Sequence, residues 1–297
     1  MSWNWNHLAL FHAVAMEGSV SRAATRLRIS QPAVSKQVRE LERALGTELL
    51  ERLPRGVRLT AAGDLLVSYT RRLFPLAAEA EAAMRELQGL QRGALRIGAS
   101  MTIGVYLLPQ LLAEMKRRWP RLELTTRIDN TASIQKALVE HELDLGMTEG
   151  PGGWEDDLDS RRFRRDELTA IVSSTHPLAQ RDGAAVSVQR FLRFPWIARE
   201  PGSGTRATID AALAELGVQA APAWVFNNPE AIKRAVLAGC GVAIVPALTV
   251  ELEVKEGQLH RLRLRGWKAE RELRLQWLRA KPWSAAMQAF DKLLNAQ

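Results

Sequence analysis

Pro32, Ser35, Lys36, Arg39 and Arg43 fall on one face of a 3.6-residue repeat, with Gln31 at its edge. One amide, one hydroxyl and three cations so arranged suit the major groove of duplex DNA. There a glutamine pairs with adenine, and a lysine or arginine with guanine. Val34, Val38, Leu41 and Leu45 form a narrow apolar stripe on the other side of the same stretch. The pattern predicts a helix over 31–45 that buries the stripe and presents the polar face. Gln31, Ser35 and Lys36 lie in its first turns, nearest the bases, while Arg39 and Arg43 hold phosphates.

The flanking residues position that helix. Ser30 is an N-cap, Pro32 stands in the first turn where a missing N–H costs little, and Gly46 stops the helix. Upstream, Ser19 caps a shorter helix with Ala23 and Leu27 one turn apart, and Arg28-Ile29-Ser30 makes a tight turn between the two. Two helices joined so closely form a helix-turn-helix. Downstream, Leu49–Leu53, Pro54-Arg55-Gly56 and Val57–Leu59 read as strand, turn and strand, with Gly56 able to take positive φ. This hairpin is a wing, and Arg52, Arg55 and Arg58 on it can meet phosphates or an adjacent minor groove. The chain start reads as one more helix, with Trp5, Leu8, Phe11 and Ala15 on its buried side.

Charge agrees with an anionic partner. The chain of 297 residues has a net charge of +8, and residues 1–60 hold nine basic against five acidic side chains, half of the excess in a fifth of the length. Cys240 is the only cysteine, which rules out an intrachain disulfide, a two-cysteine redox switch and a cysteine-based zinc site, and fits a cytoplasmic setting. No apolar run reaches the ~18 residues of a membrane span, and the start lacks the basic lead of a signal peptide, so no membrane partner is expected.

The run SRAATRLRISQPAVSKQVRELERALGTELLERLPRGVRLTAAG, residues 21–63, resembles the N-terminal domain of LysR-type transcriptional regulators. Chain length and downstream organisation match as well. The resemblance implies a homo-oligomeric bacterial regulator whose C-terminal half binds a small effector, and a dimer presenting two such helices predicts a rough inverted repeat in the promoter. It favours a dimer through the segment after the wing, and commonly a tetramer of two dimers.

That segment, 61–91, follows Thr60 as cap. Leu66, Leu73, Ala80 and Leu87 are seven apart, as are Tyr69, Leu76, Ala83 and Leu90, so the two series form the a and d positions of a heptad seam. About 31 residues at 1.5 Å each give a helix about 46 Å long, too thin to bury that seam alone. Pro75 predicts a kink or break near Arg71.

From Leu95 onward strands alternate with helices, predicting two α/β lobes like those of periplasmic binding proteins. The expected division is a DNA-binding domain 1–60, a linker 61–92 and an effector domain 93–297. Lobe I takes about 93–162 and 267–297, and lobe II about 163–266.

Ligands in such sheets sit beyond strand carboxyl ends, at helix N-termini. Four places qualify: Ser100-Met101-Thr102, Asn130-Thr131, Gly202-Ser203-Gly204-Thr205-Arg206, and Asn228. The third is the sharpest, and it suits a carboxylate, sulfate or phosphate. Its competing reading is that Ser203 and Thr205 cap their helix and Arg206 pairs with a nearby acid. Glu149, after the third strand, would repel an anion or hold an amine, so the effector's charge stays open.

Metalloprotease, P-loop and dinucleotide fingerprints are absent, Cys240 has no neighbouring His, and no cofactor or catalytic residue is indicated. The expected function is a sequence-specific DNA-binding regulator modulated by an effector between two lobes. The alternative is a small-molecule-binding α/β protein or enzyme whose basic N-terminus is incidental.

Overall fold

The computed structural model describes residues 4–53, 56–86, 93–151, 156–179 and 185–296. The chain divides into two units, Met1–Glu81 and Ala82–Gln297.

In the first unit three helices, α1 (Trp5–Glu17), α2 (Val20–Leu27) and α3 (Gln31–Leu45), precede a hairpin of β1 (Leu50–Arg52) and β2 (Val57–Leu59). The caps follow their side-chain chemistry. Ser19 Oγ accepts from Arg22 N and Ser30 Oγ from Ala33 N, both at 3.4 Å, and Gly46 closes α3 at φ 69°. Arg28 takes a left-handed φ of 56° in the tight turn. Val34, Val38 and Leu41 are buried with Leu8, Phe11 and Val14 of α1, and Leu45 is partly buried beside them. The inward face of α1 differs from expectation at its ends. Leu10, Ala13 and Val14 are buried, whereas Trp5 is 49% exposed and Ala15 only partly covered. Trp5 starts the helix and reaches only the edge of Phe74, 5.2 Å away. Gly56, at φ 89°, brings the wing against α1, where a Cβ would stand 2.7 Å from the Gly18 carbonyl oxygen.

Helix α4 (Ala61–Glu86) continues through Pro75, so the expected break does not occur. Its first half is clamped to the unit's core by Leu66 and Val67, with Leu73 and Phe74 packed alongside, and the Thr70 hydroxyl lies 2.8 Å from His12 Nδ1. That packing offsets the one hydrogen bond that proline forgoes. It also splits the heptad seam. Leu66 and Leu73 face their own domain, while Tyr69 and Leu76 stand outward, 62% and 50% exposed. Leu87 and Leu90 lie outside the described residues, as does the side chain of Ala83.

The second unit is a two-lobed α/β structure. Lobe I contains β3 (Ala94–Ser100), α5 (Met101–Tyr106), α6 (Leu108–Arg118), β4 (Glu123–Asp129), α7 (Thr131–Val139) and β5 (Leu145–Glu149). Strand β3 lies between β4 and β5, parallel to both, which sets Ser100 level with Asp129. Two helices, α5 and α6, follow β3 and are divided at Leu107. Pro109 in the first turn of α6 cannot continue the preceding helix.

Strand β6 (Leu158–Ser173) is one 16-residue strand. Up to Glu167 it pairs antiparallel with β11 (Glu270–Leu278). From Leu168 it pairs with β9 (Val242–Pro246), and from Ala170 also with β10 (Leu259–Leu262). It therefore carries the chain from lobe I into lobe II, and β11 brings it back. Lobe II adds α8 (Val188–Phe191), β7 (Trp196–Arg199), α9 (Gly204–Glu215), β8 (Trp224–Phe226), α10 (Pro229–Leu237) and α11 (Glu251–Lys255), and α12 (Ala285–Asn295) closes on lobe I. The strand path reads β4-β3-β5-β11-β6-β9-β7-β8. Each lobe has a core on both sheet faces. Met115 and Phe290 mark one and Ile134 and Leu138 the other in lobe I. Phe191 and Ile209 oppose Ile232 and Val236 in lobe II.

Candidate nucleic-acid interface and interlobe cleft

Burying Val34, Val38 and Leu41 forces the opposite side of α3 into solvent. Gln31, Pro32, Lys36, Arg39 and Arg43 are exposed, and Ser35 is half-buried. Lys36 shows 77% of its side chain and meets Glu40 only at 4.0 Å. Arg39 and Arg43 have no acidic partner among the described residues. A groove of about 250 Å³ runs between the start of α2, α3 and the hairpin, lined by Ser19, Ser21, Gln31, Ser35 and Arg39. Ser21 is a groove residue that the α3 pattern does not reveal, because it belongs to the preceding helix. Arg58 faces Glu51 in register, its Nε 2.8 Å from Oε2. Such an exposed pair is weak and can exchange for a phosphate. Arg55 and the side chain of Arg52 lie outside the described residues.

In the second unit, a pocket of about 220 Å³ opens between the start of α7, the end of β5 and the start of α9, and includes Thr131, Gln135, Glu149, Gly202, Ser203 and Arg206. Sequence candidates from both lobes thus meet. Their hydrogen bonds are largely satisfied within the chain. Asn130 Oδ1 caps α7 by accepting from Ser133 N at 3.0 Å, and Asn228 Oδ1 caps α10 by accepting from Glu230 N at 2.8 Å. Ser203 caps α9, accepting from Arg206 N at 3.4 Å. The Arg206 guanidinium pairs with Asp210 at 2.7 Å and lies 5.2 Å over the Trp196 ring. Ser203 and Arg206 thus each have a partner within α9. Met101 is half-buried. Thr102 is fully buried, and its Oγ1 lacks a hydrogen-bond partner among the described residues.

Ser100, Glu149 and Thr205 form a different group. The Ser100 hydroxyl donates to Glu149 Oε2, and Thr205 Oγ1 lies 3.4 Å from Glu149 Oε1. Arg271 completes it, with Nη1 2.6 Å from Thr205 Oγ1 and 3.1 Å from Glu149 Oε1. The same guanidinium donates to Asp166 Oδ2 at 2.6 and 2.9 Å. All five side chains are buried. Arg271 and Asp166 were not candidates from sequence. Their signal is strand parity: Arg271 shares its buried side with Leu273 and Leu275, and Asp166 shares its side with Leu168. A charge at a core position implies a buried partner.

One backbone contact holds the lobes close at this point, Ala132 N donating to Gly202 O at 3.2 Å. Within lobe I, the Thr131 hydroxyl donates to Glu149 O at 3.0 Å. Gly204 is required here, since a Cβ would stand 1.7 Å from the Glu149 carbonyl oxygen. No group of His, Cys, Asp and Glu suited to a metal occurs among the described residues, and none of their helices is long and apolar enough to cross a membrane.

Residues 5–64 match the family described as bacterial regulatory helix-turn-helix protein, lysR family, and residues 88–297 match the LysR substrate binding domain. The RuBisCO operon transcriptional regulator of Allochromatium vinosum is 34% identical over 290 residues, covering 98% of this chain and 95% of that protein. The regulatory domain of CcmR from Synechocystis PCC6803, solved in complex with 2-PG, is 27% identical with a TM-score of 0.63, covering 69% of this chain and 97% of its own. Full-length CbnR, solved with its target DNA, covers 100% of this chain and 99% of its own at a TM-score of 0.71. Its 21% identity makes that a likeness of fold.

Proposed function

The chain belongs to the LysR family of transcriptional regulators, and from that premise we propose how it grips DNA and what adjusts the grip. Helix α3 enters a major groove, with Gln31, Ser35 and Lys36 nearest base edges and Arg39 and Arg43 on phosphates. Ser30 and Pro32 fix the start of that helix, and the wing arginines Arg52, Arg55 and Arg58 reach the flanking backbone. The observation that carries this reading is the division of α3 into a buried stripe and a polar face whose outer arginines lack acidic partners among the described residues.

The working division is a DNA-binding domain 1–60, a linker 61–92 and an effector domain 93–297. A homodimer forms through the linker, with Tyr69 and Leu76 facing the second copy, and two dimers associate as a tetramer. A dimer presents two α3 helices, so the site on DNA is an inverted repeat. A small polar effector binds in the interlobe pocket near Thr131, Gly202 and Arg206. It shifts the population of lobe arrangements, and the oligomer carries that shift to the DNA grip. The setting is the cytoplasm.

A salt titration of duplex binding by the full chain tests the first half of this reading. Each phosphate neutralised contributes about −0.9 to the slope of log affinity against log salt. A slope steeper than about −4 is expected. A flat line would instead favour a ligand-binding α/β protein with an incidental basic N-terminus.

A further inference from the structure

Three donors converge on one side chain where the lobes meet. Ser100 stands at the end of β3, Thr205 at the start of α9 and Arg271 on the returning strand β11, and each faces the carboxylate of Glu149. Ser100 occupies the cap position of α5, yet its hydroxyl does not cap that helix, because it is committed to Glu149. A guanidinium flanked by two hydroxyls is a carboxylate receptor by any chemical criterion. Here a side chain of the same protein fills it.

We infer that Glu149 is a tethered carboxylate that occupies the anion subsite of the interlobe cleft and thereby sets its ligand specificity. The specificity claim rests on the reading of this cleft as the effector site. Arg271 already faces two carboxylates, Glu149 and Asp166, so the buried group carries one net negative charge. A second free anion at this spot would lose its hydration and meet that charge without an unused cation to offset it. An effector that engages Glu149 therefore does so through hydrogen-bond donors or positive charge. Its remaining contacts fall to the adjoining pocket beside Gln135 and Arg206.

Removing the tether should expose the receptor to small carboxylates from solution. In Glu149→Ala, Arg271 keeps Asp166 as counter-ion, and the lost CH2COO⁻ leaves room for acetate. The test is thermal unfolding of the full chain in sodium acetate against sodium chloride of equal ionic strength. Glu149→Ala should gain a saturable acetate-specific rise, about 3–6 °C at ten times the half-saturating concentration. The wild type and the isosteric Glu149→Gln should gain none, and Thr205→Val in the Glu149→Ala background should abolish the gain. If Glu149→Ala does not fold, Glu149→Ser is measured in the same way and should show the same rise. A folded truncation variant without an acetate-specific rise, or an equal rise in the wild type, overturns the inference. DNA affinity of Glu149→Ala with and without acetate separates the two claims. An acetate rise with unchanged DNA affinity supports the tethered carboxylate and counts against the cleft as the effector site. An acetate rise that also alters DNA affinity supports both.

Discussion

The Tyr106 hydroxyl of α5 donates to the Glu230 carboxylate of α10, joining lobe I to lobe II through side chains 124 residues apart. Lys233 Nζ lies 3.4 Å from the same hydroxyl, 2.8 Å from Glu230 and 2.7 Å from Glu253. Burial and then the bond to Glu230 push the Tyr106 phenol up to about 12. The lobes are thus tied together at two places, here and around Glu149, and both ties depend on side chains remote in sequence.

Replacing Tyr106 by Phe removes the bond to Glu230 and the longer contacts to Lys233 and the Thr249 carbonyl, and leaves the Glu230–Lys233 pair in place. The expected loss is about 1 kcal/mol of unfolding free energy, read by urea denaturation. The phenol is raised in the folded state, so its contribution is complete below the unfolded value of ~10. It is lost only as pH climbs through about 12. The difference between wild type and variant should therefore stay constant from pH 6 to pH 9, and a marked slope in that window would contradict the assignment.

Asp144 makes the opposite case. Burial alone would raise its carboxyl, but hydrogen bonds from Arg96 and the charge of Lys281 hold it below the ordinary range. Arg96 Nη2 and Lys281 Nζ approach Oδ1 at 2.7 and 2.9 Å. Asp144→Asn should cost roughly 3 kcal/mol at pH 7, since it removes the carboxylate that both Arg96 and Lys281 meet. A depressed carboxylate stabilises above its unfolded value, ~4, and loses that contribution as pH falls through the folded value. Urea curves at pH 7 and pH 3 should show the gap closing in acid. An unchanged gap would mean that the carboxylate's charge is not what matters.

The local parts of this architecture are legible in the sequence, and the remote ones are not. Ser19, Ser30 and Gly46 each act on backbone within four residues, so the helix-turn-helix can be read directly from spacing. Arg271 finds Asp166 105 residues upstream and Thr205 66 residues upstream, and no local pattern announces either meeting. Gly202-Ser203-Gly204 is conspicuous in the chain, yet Ser203 does an ordinary capping job. Glu149, conspicuous only as an awkward charge, turns out to be the hub of its group. In α4, periodicity shows that a face is apolar, not which neighbour covers it. Leu66 and Leu73 are taken by their own domain.

Tyr69 and Leu76 therefore carry the test of the linker interface. Tyr69→Asp combined with Leu76→Asp sets two charges where the second copy is expected. Dimer dissociation measured by sedimentation should become at least ~100-fold more favourable, a change of roughly 3 kcal/mol. The first unit should keep its helix content, because both side chains already face solvent. An unchanged dissociation constant would move the interface to another surface.

Arg43→Ala should weaken binding to specific and random duplexes alike and reduce the salt slope by about one, because a phosphate contact positions without reading sequence. A loss confined to one sequence would place Arg43 among the base-reading residues instead.

The central claim is that the first turns of α3 read bases. The most direct measurement is selection of binding sites from randomised duplex by the full chain, followed by affinities for the selected and a scrambled site. The wild type should enrich an inverted repeat. Gln31→Ala and Lys36→Ala should each shrink the ratio of selected to scrambled affinity by about tenfold or more, and by more than Arg43→Ala does, as expected for 1–3 kcal/mol per base contact. Enrichment of no sequence, or equal losses on both duplexes, would contradict the account.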